Sequence, residues 1–207
     1  EAHHWEDAQR CIHGPIASVE ELWRTVRHIH PPSALNDADY SIFCDGVTPA
    51  REHHGVRNGG RWIAAIGTGG KGRGQVQESC FDKVLDKAFL ALVLAILGGG
   101  LLHQTGLSLT DTLEEDSIDE SLCIGVVVSV RTPTPKIHIP EPTIDSKIRA
   151  AKFAVWIANA HDEPRVRAVG HALRRVLASS VTEDDAPRGG WHLAFEEFRQ
   201  QAVTLRI

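Results

Sequence analysis

Cys123-Ile124-Gly125-Val126-Val127-Val128-Ser129-Val130-Arg131 is the stretch that decides how this chain folds. Side chains branched at Cβ dominate it, and they pack better on a pleated surface than on a helix. Apolar residues at successive positions mean that both faces of the strand are covered, so it lies centrally in a sheet. On its C-terminal side, Thr132 to Pro142 carries four prolines and cannot continue a ladder of hydrogen bonds. The chain returns as a second strand at Phe153 to Ile157. On the N-terminal side, Gln104 to Glu120 holds Glu114-Glu115-Asp116 and Asp119-Glu120 and reads as a solvated acidic loop rather than a catalytic cluster.

Three segments further out are helical. Ser18-Val19-Glu20-Glu21 places a hydroxyl three residues before a carboxylate, the pattern that caps a helix start. Val19, Leu22, Trp23, Val26 and Ile29 follow at helical spacing until His30-Pro31-Pro32 ends the run. Asp82 to Leu97 is predicted as a second helix, with ten consecutive apolar residues from Ala88, which implies burial on one face and a partner on another. Gly98 to Gly100 stops it. Pro164 to Leu177 is the third helix, with Asp162 and Glu163 before it and Arg174 and Arg175 near its end, matching the helix dipole at both ends.

Asp39 to Cys44 and Arg61 to Ile66 alternate and are bounded by Asp45-Gly46 and Gly59-Gly60, as short strands are, with a polar loop from Val47 to Asn58 between them. Trp191 to Phe195 alternates as a last strand. Gly67-Thr68-Gly69-Gly70-Lys71-Gly72-Arg73-Gly74 lacks the order of a nucleotide phosphate loop, because Gly72 follows Lys71, and is expected to be a flexible basic hairpin tip. Strands and helices without a regular alternation give an α+β domain, a largely antiparallel sheet with helices on one face and the other face open.

Length and composition agree with one domain over 1–207. A formal net charge of -5 argues against a protein that coats nucleic acid through many cations. Cys11, Cys44, Cys80 and Cys123 are scattered, so neither a zinc site nor a disulfide framework is expected, and reduced thiols suit an intracellular protein. Adjacent pairs such as His3-His4 and His53-His54 do not make a metal site, and no nucleophile motif or carboxylate pair signals an enzyme, so no catalytic residue, metal or cofactor is expected. The apolar run of the second helix is too short for a membrane span, and no signal peptide is visible in a sequence that begins without methionine.

Five tryptophans accompany a single tyrosine. Trp5 and Trp156 stand in polar surroundings, where an exposed indole stacks bases, while Trp62 and Trp191 are expected in the core. A cationic methylated purine needs aromatic faces, a carboxylate for its N–H groups and cations for its phosphates. Trp5, Trp156, Glu52, Arg131 and Lys152 form such a set.

At these residues the sequence resembles the eukaryotic translation initiation factor 4E family. Ser18-Val19-Glu20-Glu21-Leu22-Trp23, Asp39-Tyr40-Ser41-Ile42-Phe43 with Asp45-Gly46, Gly59-Gly60-Arg61-Trp62, Leu85-Asp86-Lys87-Ala88-Phe89-Leu90 and Gly125 to Arg131 carry the likeness. The resemblance implies a curved sheet with three long helices on its convex face and a pocket for the 7-methylguanosine cap of messenger RNA on its concave face. It implies cap stacking by Trp5, guanine reading by Glu52, phosphate contacts from Arg131 and Lys152, and contact of Trp156 with the methyl group. It also implies that Val19, Trp23, Leu90 and Leu94 grip a helical motif of the scaffold factor 4G or of an inhibitory binding protein, in the cytoplasm and away from membranes.

The departures are specific. Counting from Asp45-Gly46 to Gly59-Gly60 puts Arg51 where the family has its second stacking tryptophan, which implies weakened or altered cap binding. The family's first strand, with its His-Pro pair, has no counterpart before Trp5. Loops are lengthened at 101–120 and 132–151, and Lys136, Lys147 and Arg149 of the second are expected beside the phosphates, touching nucleotides downstream of the cap.

Overall fold

The computed structural model describes residues 10–51, 53, 56–68, 73–98, 123–132, 149–199 and 202–207, with the side chains of 202–204 outside that set. The chain divides into two compact units, residues 1–31 and 32–207.

The first unit contains helix α1, Val19–His28. The Ser18 hydroxyl accepts the Glu21 N–H at 3.2 Å, and the Glu21 carboxylate reaches back one residue beyond the cap to accept the Ala17 N–H at 2.8 Å. Leu22 and Thr25 are buried, whereas Val19 and Trp23 of the predicted stripe are exposed. His28 Nδ1 lies 2.6 Å from the Arg24 carbonyl, so this imidazole serves the end of the helix.

The second unit is built on six antiparallel strands in the order β1-β3-β4-β2-β5-β6: Ala38–Phe43, Cys123–Arg131, Ala150–Ile157, Gly60–Gly67, Leu193–Glu197 and Ala202–Arg206. The valine-rich stretch is β3, an interior strand with the bounds its sequence predicts. Register stacks Trp62, Val155 and Val126 in one row, Ala64, Phe153 and Val128 in the next, and Ile66, Ala151 and Val130 in a third. All nine are buried.

Helix α2, Glu78–Leu97, and helix α3, Glu163–Ser179, supply the other half of the core. In α2, Phe81, Val84, Leu85, Ala88, Phe89, Leu92 and Val93 make one buried face, and Tyr40 of β1 meets Phe89 with ring centres 6.4 Å apart. The helix starts four residues before Asp82 because its first turn is polar and the apolar periodicity begins at Phe81. Asp162 caps α3 through the Arg165 N–H at 3.0 Å, and Trp62 donates its Nε1–H to the Val166 carbonyl at 3.0 Å. A Cβ on Gly170 would lie 2.5 Å from the Trp62 ring, so only glycine lets α3 approach the sheet this closely.

Two expectations change. The Gly67 to Gly74 segment is not a hairpin tip, because β2 is followed by α2 rather than by a returning strand. Gly67 N–H to Gly74 C=O at 3.2 Å and Val76 N–H to Gly67 C=O at 3.0 Å close it as a loop, whose residues 69–72 lie outside the described set. The sheet also has an edge strand, β6, that the sequence does not announce, since Phe198 to Gln201 contains none of the usual turn residues. Trp191 precedes β5 and is buried, with its ring centre 6.0 Å from that of Phe153. The two loops expected at 101–120 and 132–151 fall almost wholly outside the described residues. Among the described residues no helix is long and apolar enough to cross a membrane.

Candidate functional site

The sheet face opposite the buried rows of Trp62 and Phe153 carries three further rows, set by strand register. Phe43, Gly125, Trp156, Arg61 and Glu196 succeed one another across β1, β3, β4, β2 and β5. Ser41, Val127, Ala154, Ile63 and Ala194 form the middle row, and Asp39, Ser129, Lys152 and Ala65 the third. With a rise of about 3.3 Å per residue, Trp156 and Lys152 stand roughly 13 Å apart along β4. The face therefore has an aromatic and charged end, a floor of mostly small side chains, and a cationic end.

Trp156 is buried, 5% exposed, which corrects the expectation of an exposed indole. Its cover comes from residues distant in sequence. Phe43 meets it edge-on with ring centres 5.3 Å apart, Phe198 lies 4.7 Å away, and Val56 from the loop after β1 joins the same cluster. Gly125 makes the first contact possible, since a Cβ there would lie 2.4 Å from the Phe43 ring. The Trp156 Nε1–H is buried and has no hydrogen-bond partner among the described residues.

Arg51 lies at this end. Its Nη2 is 2.9 Å from Glu196 Oε1, and its guanidinium carbon sits 5.5 Å from the Phe198 ring centre. Arg61 donates to the other Glu196 oxygen through Nε at 2.9 Å and Nη2 at 2.8 Å. Burial pushes the Glu196 carboxyl up, but hydrogen bonds and charge from Arg61, joined by Arg51, outweigh it and hold the pKa below its ordinary value. Glu196 is thus a fixed anion between two guanidinium groups. Trp5 and Glu52 lie outside the described residues.

At the cationic end, Arg131 pairs with Asp39, Nη1 to Oδ1 at 2.8 Å and Nη2 to Oδ2 at 3.1 Å, and donates to the Ala38 carbonyl at 3.1 Å. The Asp39 hydrogen bond raises the Arg131 pKa. Lys152 is exposed on the same face and makes no ion pair among the described residues. Arg149 departs from its expected place beside the phosphates. It is ion-paired with Asp82 of α2, donates to the Ser33 carbonyl at 2.7 Å and lies 4.7 Å from the Phe81 ring centre. Strand alternation explains this, because position 149 faces the helices whereas 150 and 152 face the site. Lys136 and Lys147 lie outside the described residues.

The residues expected to grip a helical partner are placed on two helices. On α1, Val19 is 64% and Trp23 38% exposed, with Glu20, Arg24 and Arg27 around the indole. On α2, Leu94 and Leu97 are exposed and Leu90 is half-buried, on the side opposite the core face. Sequence reading missed Phe43, Phe198, Arg61 and Glu196 as parts of the site. The alternation of β1 and β2 carries a signal for Phe43 and Arg61, but nothing local marks Glu196 or Phe198.

The eukaryotic initiation factor 4E family model matches residues 1–185. Initiation factor 4E-5 of Caenorhabditis elegans is 27% identical over 180 residues, covering 86% of this chain and 69% of its own. Initiation factor 4E1 of Drosophila melanogaster is 25% identical over 174 residues, covering 84% and 50%. The chain thus spans between half and about two thirds of the length of these relatives. C. elegans eIF4E-3, solved in complex with the 4E-binding protein Mextli, has the same fold at a TM-score of 0.65 and 21% identity, covering 98% of this chain and 88% of that one. Ascaris suum eIF4E-3, solved with the m2,2,7G cap, superposes at 0.64 and 19% identity, covering 99% and 87%. With the family model matched across residues 1–185 and the fold shared with solved members, the chain belongs to the eukaryotic initiation factor 4E family.

Proposed function

We propose that this protein binds the 7-methylguanosine cap of messenger RNA on the face lined by Trp156, Lys152 and Arg131, and a helical motif of a scaffold or 4E-binding protein through Trp23, Val19, Leu90 and Leu94, in the cytoplasm. The observation that carries the reading is the shared face: register puts Arg131, Lys152 and Trp156 on one side of the sheet, with Arg51 at its aromatic end. Trp5 and Glu52 complete the set as stacking and guanine-reading groups.

Arg51 stands where a second stacking tryptophan is expected, and its ion pair with Glu196 above Phe198 supports a site of reduced cap affinity. A guanidinium beside a cationic base replaces attraction with repulsion, and a stacked aromatic contributes about 1–3 kcal/mol per base. The burial of Trp156 beneath Phe43 and Phe198 favours a second reading, a cap-impaired adaptor or translational repressor that works through its helices. Titration with 7-methylguanosine triphosphate, followed by tryptophan fluorescence, separates the two. The cap-binding reading expects saturable quenching at micromolar ligand and an affinity raised on the order of tenfold to a hundredfold by Arg51→Trp. No response in either protein up to millimolar ligand would falsify it in favour of the adaptor.

A further inference from the structure

We propose that Arg73 and Arg188, continuing from Lys152, hold the phosphate backbone of the nucleotides that follow the cap, without reading their bases. This rests on the cap-binding reading of the same face. The glycine-rich basic segment ends at Arg73 and Gly74, and hydrogen bonds fix where that end lies: Gly74 N–H to Arg188 C=O at 3.1 Å and Arg188 N–H to Gln75 C=O at 2.8 Å. A Cβ on Gly189 would lie 3.4 Å from Arg73 Cγ and 3.6 Å from His192 Nε2, so these two side chains flank one spot. Leu193 pairs with Ala64, and extending this register by one residue sets His192 opposite Ala65, itself paired with Lys152. His192 has the parity of Ala194 and Glu196, which puts this corner on the site face, at its cationic end.

Charge separates this corner from the rest of the face. Arg51 and Arg61 share the single carboxylate of Glu196, and Arg131 is paired with Asp39. Arg73, Arg188 and Lys152 are exposed and make no ion pair among the described residues. In a chain of net charge -5, three exposed cations with no ion-pair partner among the described residues form a local exception suited to a polyanion. The nearby rings of Trp191 and Phe153 are buried and offer no stacking surface, so the contact is with phosphate and is independent of sequence.

The test compares the protein with the double variant Arg73→Ala/Arg188→Ala against 7-methylguanosine triphosphate, a capped pyrimidine decanucleotide and the same oligonucleotide uncapped, at several salt concentrations. The proposal expects unchanged affinity for the free cap nucleotide, weaker binding of both oligonucleotides, and a salt slope smaller by about 1.4, or ~0.7 for each lost phosphate contact. Oligonucleotide affinity and slope unaltered in the variant overturn it. Loss of oligonucleotide binding in the variant, when neither protein binds the free cap nucleotide, sinks the cap reading and leaves the phosphate track standing. A polyglutamate peptide that binds as tightly as the uncapped oligonucleotide, and is weakened equally by the variant, overturns the assignment to RNA.

Discussion

Arg51 is held at the aromatic end of the sheet face by its ion pair with Glu196 at 2.9 Å and by the Phe198 ring, 5.5 Å from its guanidinium carbon. The Arg51 position is legible by counting between two glycine-bounded motifs, but its partners are not, because Glu196 and Phe198 come from the far end of the chain. The basic run before Trp156 predicts an exposed indole, whereas Phe43, Val56 and Phe198, none of them near in sequence, cover it. Its Nε1–H has no acceptor among the described residues. Trp156→Phe removes this donor, so thermal or urea unfolding should show a loss below about 1.5 kcal/mol, against about 3–5 kcal/mol for Trp156→Ala. A phenylalanine variant as unstable as the alanine variant would mean that the N–H has a partner.

At the scale of elements, the starts of α1 and α3 and the strand cores follow from capping residues and periodicity, whereas α2, which has no side-chain cap, starts four residues before its predicted position. The first turn of α2 is held from outside by the three-residue turn Glu183–Asp185. Asp185 is ion-paired with Lys83 and accepts from the Thr182 hydroxyl at 2.9 Å. The Lys83 hydrogen bond, followed by those of Thr182 and Cys80, lowers the Asp185 pKa from 3.8 to about 2. A carboxyl with a depressed folded-state pKa contributes stability in full above its unfolded value near 3.9 and loses it as pH falls toward its folded value. Asp185→Asn should therefore lower Tm at pH 7, and the gap from the native protein should close between pH 4 and pH 2. A gap that persists at pH 2 would assign the loss to packing instead of ionisation.

For the whole molecule, the proposed activities are assigned to separate places: nucleotide to the sheet face, protein partner to the exposed sides of α1 and α2. Trp23→Ala should abolish binding of a helical 4E-binding peptide in calorimetry while leaving quenching by 7-methylguanosine triphosphate unchanged, and loss of both together would indicate misfolding. The sequence by itself determined the α+β class, the interior position of Cys123–Arg131, the two capped helices α1 and α3, the family and the candidate cations, because these depend on local propensity, hydrophobic period and short motifs. Only the tertiary structure decided which side chains meet. It buried Trp156, turned Arg149 toward α2, tied Arg51 to Glu196 and brought Arg73 beside His192. Each of these depends on strand register and on contacts between residues far apart in the chain, and a one-residue shift in register would reverse the face on which every strand side chain lies.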